Sequence, residues 1–275
     1  MTVIRIAAFS DGDSGGNPAG VHISAKLPSA SEMQSIAAQV GYSETAFAEN
    51  AEQGWRVRYF SPESEVPFCG HATIALGAAL GKREGAGIHT LHLNDTTITV
   101  ESFIEGEKYS AALQSPGTHS RAADPHMLSA ALDLFGYKTS DLDPNIPPAF
   151  ASGGANHLII GLNSRRALSA MAYDLAAGRT FMNEAELVTV MLVYPETPQL
   201  FHARNPFASG GVYEDPATGA ATAAFAGYLR DIQCPHDNAI NIIQGEDMGS
   251  RSLIHAELTD TPGASIRVSG SVRFL

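Results

Sequence analysis

The sequence predicts an α+β protein made of two similar halves, and three observations carry that prediction. Two segments far apart in the chain read as copies. They are Cys69-Gly70-His71-Ala72-Thr73-Ile74-Ala75-Leu76-Gly77-Ala78-Ala79-Leu80 and Thr218-Gly219-Ala220-Ala221-Thr222-Ala223-Ala224-Phe225-Ala226-Gly227-Tyr228-Leu229, which agree at five of twelve positions. Each follows a strand-like stretch and a proline, Pro67 or Pro216, and continues as a small-residue, helix-compatible apolar run. The order of elements around each copy is also similar: strands, helix, strand pair, Gly-led helix, strands. Finally, 275 residues suffice for one large domain or two of ordinary size with a substantial core. A glycine turn at a buried helix start leaves backbone N–H groups at the positive end of the helix dipole, which suits an anionic ligand. Two such starts suggest two half-domains facing one site. A duplicated packing helix with no site fits the repeat equally well.

Along the chain, residues 2–9 and 21–24 read as strands around the turn Ser14-Gly15-Gly16-Asn17-Pro18. Ser29 followed by Glu32 is a capping-box pattern that opens a helix to Val40. Gly41-Tyr42-Ser43-Glu44 turns into a strand over 45–49, and 55–60 alternates as a second strand ending at Ser61-Pro62. The first Gly-led helix covers about 71–82, followed by strands near 89–93, 96–103 and 108–114. The Ser/Gly/Pro/Thr-rich stretch 115–123 reads as a linker, which puts one half at residues 1–117 and the other at 118–275. Asp124-Pro125 opens a helix closed by Gly136. A strand is expected at 156–162, a helix at 165–177, a strand at 188–194, then the second Gly-led helix and closing antiparallel strands at 254–258 and 265–274. A weaker echo joins Ser14-Gly15-Gly16-Asn17 to Ser152-Gly153-Gly154-Ala155-Asn156.

Composition narrows the partners. The formal net charge is −12, from 17 basic and 29 acidic residues. This argues against nucleic acid or an anionic membrane, both of which need basic surface. No apolar run is long enough for a transmembrane helix, and the N-terminus reads as a strand without a signal-peptide pattern. Two cysteines make no disulfide framework, so a reduced, cytoplasmic setting is expected.

Several residues are candidates for chemistry. Glu44, at a turn-to-strand junction among small and apolar neighbours, is placed as a partly desolvated carboxylate that picks up and returns a proton; a surface glutamate at a loop end is the alternative. His71 follows the Gly70 turn, where a neutral imidazole can donate a hydrogen bond to a substrate oxygen, although a lone histidine can equally be structural. The other nine histidines show no metal-ligand spacing with a cysteine or an acid, so no metal site is expected. Asp215, before Pro216, reads either as a helix-start device or as a partner of His71 from the opposite half, and Glu214 as its solvated neighbour. Cys69 sits where a helix terminus activates a thiolate. A two-thiol racemase needs a second cysteine opposite, and the repeat places Thr218 there.

An ordered set of motifs spans almost the whole chain: Gly16-Asn17-Pro18, Ser43-Glu44-Thr45, Arg58-Tyr59-Phe60-Ser61-Pro62, Glu65-Val66-Pro67-Phe68-Cys69-Gly70-His71-Ala72-Thr73 and Glu214-Asp215-Pro216-Ala217-Thr218-Gly219, with Gln244-Gly245 and Met248-Gly249 after them. The set resembles the signature of the phenazine-biosynthesis PhzF-like isomerases. The resemblance implies a diaminopimelate epimerase-like fold, with two pseudo-symmetric halves each a β-rich barrel-like layer around a central helix, a cleft between them, and a homodimer. It implies a cofactor-independent isomerase of a small, cyclic, carboxylated metabolite, of the type that acts on trans-2,3-dihydro-3-hydroxyanthranilate. Carried over, Glu44 is the proton shuttle, His71 and Asp215 assist, and Gly70, Gly219, Ala220 and Asn17 belong to substrate binding. Ala220 stands where the family often has serine, so a hydroxyl is missing from that set. The other readings left open are an amino-acid racemase or epimerase using Cys69, and a non-catalytic small-molecule binding protein of the same fold.

Overall fold

The structure, a computed structural model, describes residues 2–275. The chain forms two compact units: one runs to Gln114 and is completed by Ser269–Leu275, and the other is Ser115–Val268. The first contains β1 (Ile4–Ala8), β2 (Asn17–Ser24), α1 (Ala30–Val40), β3 (Thr45–Ala51), β4 (Gly54–Phe60), β5 (Glu65–Val66), α2 (Gly70–Glu84), β6 (Gly87–His92), β7 (Thr97–Glu105) and most of β8 (Lys108–Gly117). The second contains β9 (His119–Ala122), α3 (Pro125–Phe135), β10 (Ala149–Ser152), β11 (Asn156–Gly161), α4 (Arg165–Ser169), α5 (Leu175–Glu184), β12 (Thr189–Thr197), β13 (Leu200–Phe207), β14 (Val212–Asp215), α6 (Gly219–Asp231), β15 (Ala239–Gln244) and β16 (Ser252–Glu257). The last strand, β17 (Ser265–Phe274), starts in the second unit and ends in the first.

Strand pairing repeats one plan. In the first unit β1 and β2 are antiparallel, β2 and β3 parallel across α1, β3 and β4 antiparallel, β4 and β6 parallel across β5 and α2, and β6 and β7 antiparallel. In the second, β10 and β11 are antiparallel, β11 and β12 parallel across α4 and α5, β12 and β13 antiparallel, β13 and β15 parallel across β14 and α6, and β15 and β16 antiparallel. In the first unit β7–β8, β8–β17 and β17–β1 close the layer into a barrel.

Each layer surrounds one helix. α2 packs on β1, β2, β3, β6 and β7, and is buried from His71 to Gly81. Its small residues follow from that crowding: a Cβ on Gly77 would sit 2.5 Å from Val100 Cγ2. α6 packs on β9, β10, β11 and β16, touching both ends of its strand order, and is buried from Ala221 to Arg230. The fold is therefore the expected one, with a β-rich layer around a central helix in each half. A second apolar layer covers the outside of each: Met33 and Ala37 of α1 against Phe47 and Phe60, and Phe135, Leu168 and Met182 against Phe150, Leu158 and Leu192.

Local expectations fared unevenly. The Ser29–Glu32 capping box is present, and Asp124 caps α3, which Gly136 closes in the left-handed conformation. The expected linker at 115–123 is instead the end of β8 and all of β9, which pairs with β10 from Ala122↔Ala149 to His119↔Ser152. Turn-type composition there is overridden by pairing to a neighbouring strand. The single helix expected at 165–177 is two, α4 and α5, with Asp174 capping the second. Arg204 draws the carbonyls of Ser169 and Met171 into hydrogen bonds of 3.0 and 3.3 Å, and the chain leaves the helix between them. The strand-like stretch expected before Pro216 is β14, whereas β10, β13 and β15 were not expected; β13 carries Pro206 within its run, which disguises a strand.

Candidate functional site

Glu44 is placed by the parallel ladder of β2 and β3. Its carbonyl accepts the Gly20 N–H at 3.2 Å, one residue before the ladder opens with Gly20↔Thr45. Gly20 permits that approach, since a Cβ there would lie 2.7 Å from the Thr45 hydroxyl. The Glu44 carboxylate is thus held at the head of a rigid strand, with 13% of its side chain exposed.

The entrance to α2 supplies the partners. Cys69 is the N-cap in an extended conformation, and no side chain caps the first turn. Thr73 donates its hydroxyl to the Cys69 carbonyl at 2.7 Å, and the buried Tyr59 hydroxyl lies 2.7 Å from the same Thr73 oxygen. This chain of bonds fixes the turn. His71, 7% exposed, then faces Glu44: its Nε2 lies 3.3 Å from Glu44 Oε2 and 3.3 Å from the Ser43 hydroxyl. Its Nδ1 lies 3.4 Å from Cys69 Sγ. The structure therefore brings Glu44, His71, Gly70 and Cys69 into one nearly buried cluster, and Ser43 joins it without having been singled out as a functional side chain. Asn17 is buried at the start of β2, opposite Ala8. Carboxylate oxygen, thiol sulfur and ring nitrogen lie within 4.8 Å of one another, the donor set of a borderline-soft divalent cation.

The entrance to α6 is assembled in the second unit. Asp215 accepts the Thr218 hydroxyl at 2.5 Å. Gln244, fully buried, donates to the Asp215 carbonyl at 2.7 Å and to Thr218 Oγ1 at 3.0 Å, and accepts the Thr218 N–H at 3.2 Å. Asn205 donates to the same Gln244 oxygen at 3.3 Å. Gly245 turns the chain at φ +74°, where a Cβ would lie 2.8 Å from the Pro216 carbonyl oxygen. Gly219 and Ala220 begin the helix, again with no side-chain cap on the first turn. Asp215, 6% exposed, thus ties the residue before the helix to the end of β14 through the Thr218 hydroxyl.

Glu214 is not a solvated neighbour. It is 4% exposed and holds Arg204 in a two-pronged pair, Nε to Oε1 at 2.9 Å and NH2 to Oε2 at 2.5 Å. The first unit has the same device: Arg58 Nε to Glu65 Oε1 at 2.7 Å and NH2 to Oε2 at 2.5 Å. The signal was in the sequence, since Glu65 and Glu214 each open the spacing Glu-x-Pro-x-x-Gly that ends at the helix glycine. Gln244 stood in the sequence only as part of the Gln244-Gly245 motif, and Asn205 gave no signal, because their partners lie on other elements.

With the geometry in hand, comparison with known proteins gives a consistent result. The family model for phenazine biosynthesis-like proteins, PhzC-PhzF, matches residues 6–273. A trans-2,3-dihydro-3-hydroxyanthranilate isomerase of Pseudomonas aeruginosa is 31% identical over 273 residues, covering 97% of this chain and 92% of the relative. An uncharacterized isomerase of Mesorhizobium japonicum is 31% identical over 274 residues, covering 93% of this chain and 90% of its own. A phenazine biosynthesis protein of the PhzF family from Bacillus anthracis has a similar structure, with a TM-score of 0.87 at 22% identity over 99% of this chain and 96% of that one. A probable proline racemase from Agrobacterium radiobacter shares the fold at a TM-score of 0.68 and 10% identity, over 99% and 90% of the two chains.

Proposed function

We propose that this chain, which belongs to the PhzC-PhzF family of phenazine biosynthesis-like proteins and is an isomerase, moves a proton within a small, cyclic, carboxylated metabolite with Glu44 as the acid/base. The observation that carries this reading is the nearly buried contact of Glu44 Oε2 with His71 Nε2 at 3.3 Å. The carboxylate takes a proton from one substrate carbon and returns it to another, so the substrate and product are isomers and no external acceptor is consumed. His71 holds Glu44 and offers a hydrogen bond to a substrate oxygen. Backbone N–H groups at the uncapped start of α2, at Gly70, suit the substrate carboxylate. Asp215, Gly219, Ala220 and Asn17 are assigned to the same reaction by the family motifs they match. The type substrate is trans-2,3-dihydro-3-hydroxyanthranilate, after the relative at 31% identity. The reaction needs no cofactor in this reading.

Glu44→Gln is the deciding variant. Turnover of the dihydrohydroxyanthranilate is expected to fall by about 10²–10⁴ or more while the fold persists by circular dichroism. Wild-type turnover in heavy water is expected to leave deuterium in the product. Full turnover by folded Glu44→Gln would remove the shuttle.

A second reading, an amino-acid racemase or epimerase with Cys69 as base, draws on the 3.4 Å contact of Cys69 Sγ with His71 Nδ1. Threonine at position 218 offers no second thiol at the matching place in the repeat. The two readings separate on Cys69→Ala: the thiol reading loses racemisation altogether, whereas the Glu44 reading retains turnover of the cyclic acid.

A further inference from the structure

We propose that Glu44, Cys69 and His71 form a three-ligand site for a zinc-class divalent cation, with an open fourth position, and that its occupation switches the proton shuttle off. The effect on turnover rests on the Glu44 reading above; the metal site itself does not.

The geometry points to it. A tetrahedral zinc ion with ligand bonds of about 2.3 Å to sulfur and about 2.0–2.1 Å to nitrogen and oxygen requires N···O near 3.3 Å and S···N near 3.6 Å. The structure has His71 Nε2 to Glu44 Oε2 at 3.3 Å and Cys69 Sγ to His71 Nε2 at 3.9 Å. The third edge, Cys69 Sγ to the Glu44 oxygen, lies within 4.8 Å, and movement of the Cys69 side chain toward Glu44 closes the two sulfur edges to the about 3.6 Å that a zinc ion requires. Nε2 is the ligating nitrogen because it is the one that faces Glu44. The donor chemistry is selective as well: a thiolate and an imidazole beside one carboxylate suit zinc, cobalt or cadmium, whereas magnesium and calcium require oxygen ligands. Charge balance also allows it. Thiolate and carboxylate together carry two negative charges against the ion's two positive ones, which offsets the unfavourable dipole at the start of α2. Binding releases the thiol proton to solvent and changes no oxidation state.

Three protein ligands leave the fourth position for water or for an oxygen of the substrate. Glu44 bound to the ion no longer offers a lone pair to a substrate proton, so the metal acts as an inhibitor of the isomerase.

Cobalt(II) is the probe, titrated into the full chain prepared with a chelator and freed of it. One equivalent is expected to give a saturable thiolate-to-cobalt charge-transfer band with intense tetrahedral visible absorption. Cys69→Ser loses the charge-transfer band. Glu44→Gln keeps the band but requires roughly tenfold or more cobalt to saturate it. Cys234→Ser, the control for the other thiol, matches the parent chain. Where Cys69→Ser fails to fold, zinc X-ray absorption of the unmodified 1:1 complex reads the same question and is expected to show one sulfur at about 2.3 Å. A missing charge-transfer band, a parent-like band in folded Cys69→Ser, or a zinc shell without sulfur overturns the site. Zinc is then expected to inhibit wild-type turnover, with a higher half-inhibiting concentration in Cys69→Ser relative to that variant's own metal-free rate. A cobalt band that behaves as described beside a Glu44→Gln variant of full activity would leave the metal site standing and remove the shuttle reading alone.

Discussion

The entrances to α2 and α6 stand on the same frame and carry different chemistry. In each, an arginine on one strand grips a glutamate on the next with two hydrogen bonds, a proline follows, and a helix starts at glycine without a side-chain cap. Tyr59 next to Arg58 and Asn205 next to Arg204 occupy matching ladder positions, opposite Val66 and Asp215. Both reach the helix entrance, Tyr59 through Thr73 and Asn205 through Gln244. The frame is duplicated; the groups mounted on it are not. Cys69 and His71 stand where the second copy has Thr218 and Ala220, and Asp215 stands where the first has Val66. A repeated fold thus mounts different side chains at its two helix entrances, and the second entrance lacks the thiol that the two-thiol reading would require.

The two arginine–glutamate pairs offer the sharpest test of that shared frame, because they differ chiefly in burial. Side chains of Arg204 and Glu214 are 9% and 3% exposed, against 23% and 27% for Arg58 and Glu65. Arg204→Met leaves the Glu214 carboxylate buried and unpaired, and is expected to cost about 3–5 kcal/mol in denaturant unfolding. Arg58→Met leaves Glu65 with solvent and the Asn94 amide at 2.7 Å, and is expected to cost about 1 kcal/mol or less. Equal losses would show that the two pairs do the same structural work despite their burial.

How far the sequence carried the description follows from where each signal sits. The capping residues Ser29 and Asp124 and the glycine at 136 act within a few residues of themselves, so they were legible. The Gly70 and Gly219 starts were legible for the same reason, as was the echo that places Asn17 and Asn156 at the heads of β2 and β11. What stayed hidden was tertiary. β9 and β13 owe their strand state to neighbours, and the break between α4 and α5 owes its place to Arg204, which lies two strands further along the chain. In the site, Glu44 and His71 were singled out separately, but their contact depends on β3 meeting the start of α2. The Cys69–His71–Glu44 donor set is likewise not local, since Glu44 and the start of α2 are far apart in the chain and their donor atoms meet only in space.

The parallel ladders give a second contrast of intermediate size. Each opens on a threonine: Gly20 faces Thr45, and His157 faces Thr189. The Thr45 hydroxyl is buried and has no hydrogen-bond partner among the described residues, whereas Thr189 Oγ1 lies 2.8 Å from His157 Nδ1. Thr189→Val is expected to cost about 1–3 kcal/mol, and Thr45→Val close to nothing. His157 adds a pH dependence to the second ladder. Burial holds it down at about 3 from an ordinary value of 6.5, so the unfolded chain takes up a proton that the native chain refuses. Stability therefore rises with pH between about 3 and 6.5, and is lost as the pH falls through that window. His157→Gln is expected to flatten this part of the pH–stability curve, read by urea unfolding at fixed pH values.

The smallest contrast lies in the crossovers that join those ladders. α1 is one helix of 11 residues closed by a capping box, in which Ser29 accepts the Glu32 N–H and Glu32 accepts the Ser29 N–H. The matching crossover is split, and Ser164 caps only the five residues of α4. A cap stabilises the helix that propagates from it, and α1 carries Met33 and Ala37 into the layer around Phe47 and Phe60. Ser29→Ala is therefore expected to cost about 1 kcal/mol. Ser164→Ala should cost less, because α4 is also held from its far end, where Arg204 binds the Ser169 carbonyl at 3.0 Å. Thermal unfolding of the two variants ranks them directly, and the difference is expected to narrow if Arg204→Met is placed behind both, since α4 then depends on its own cap.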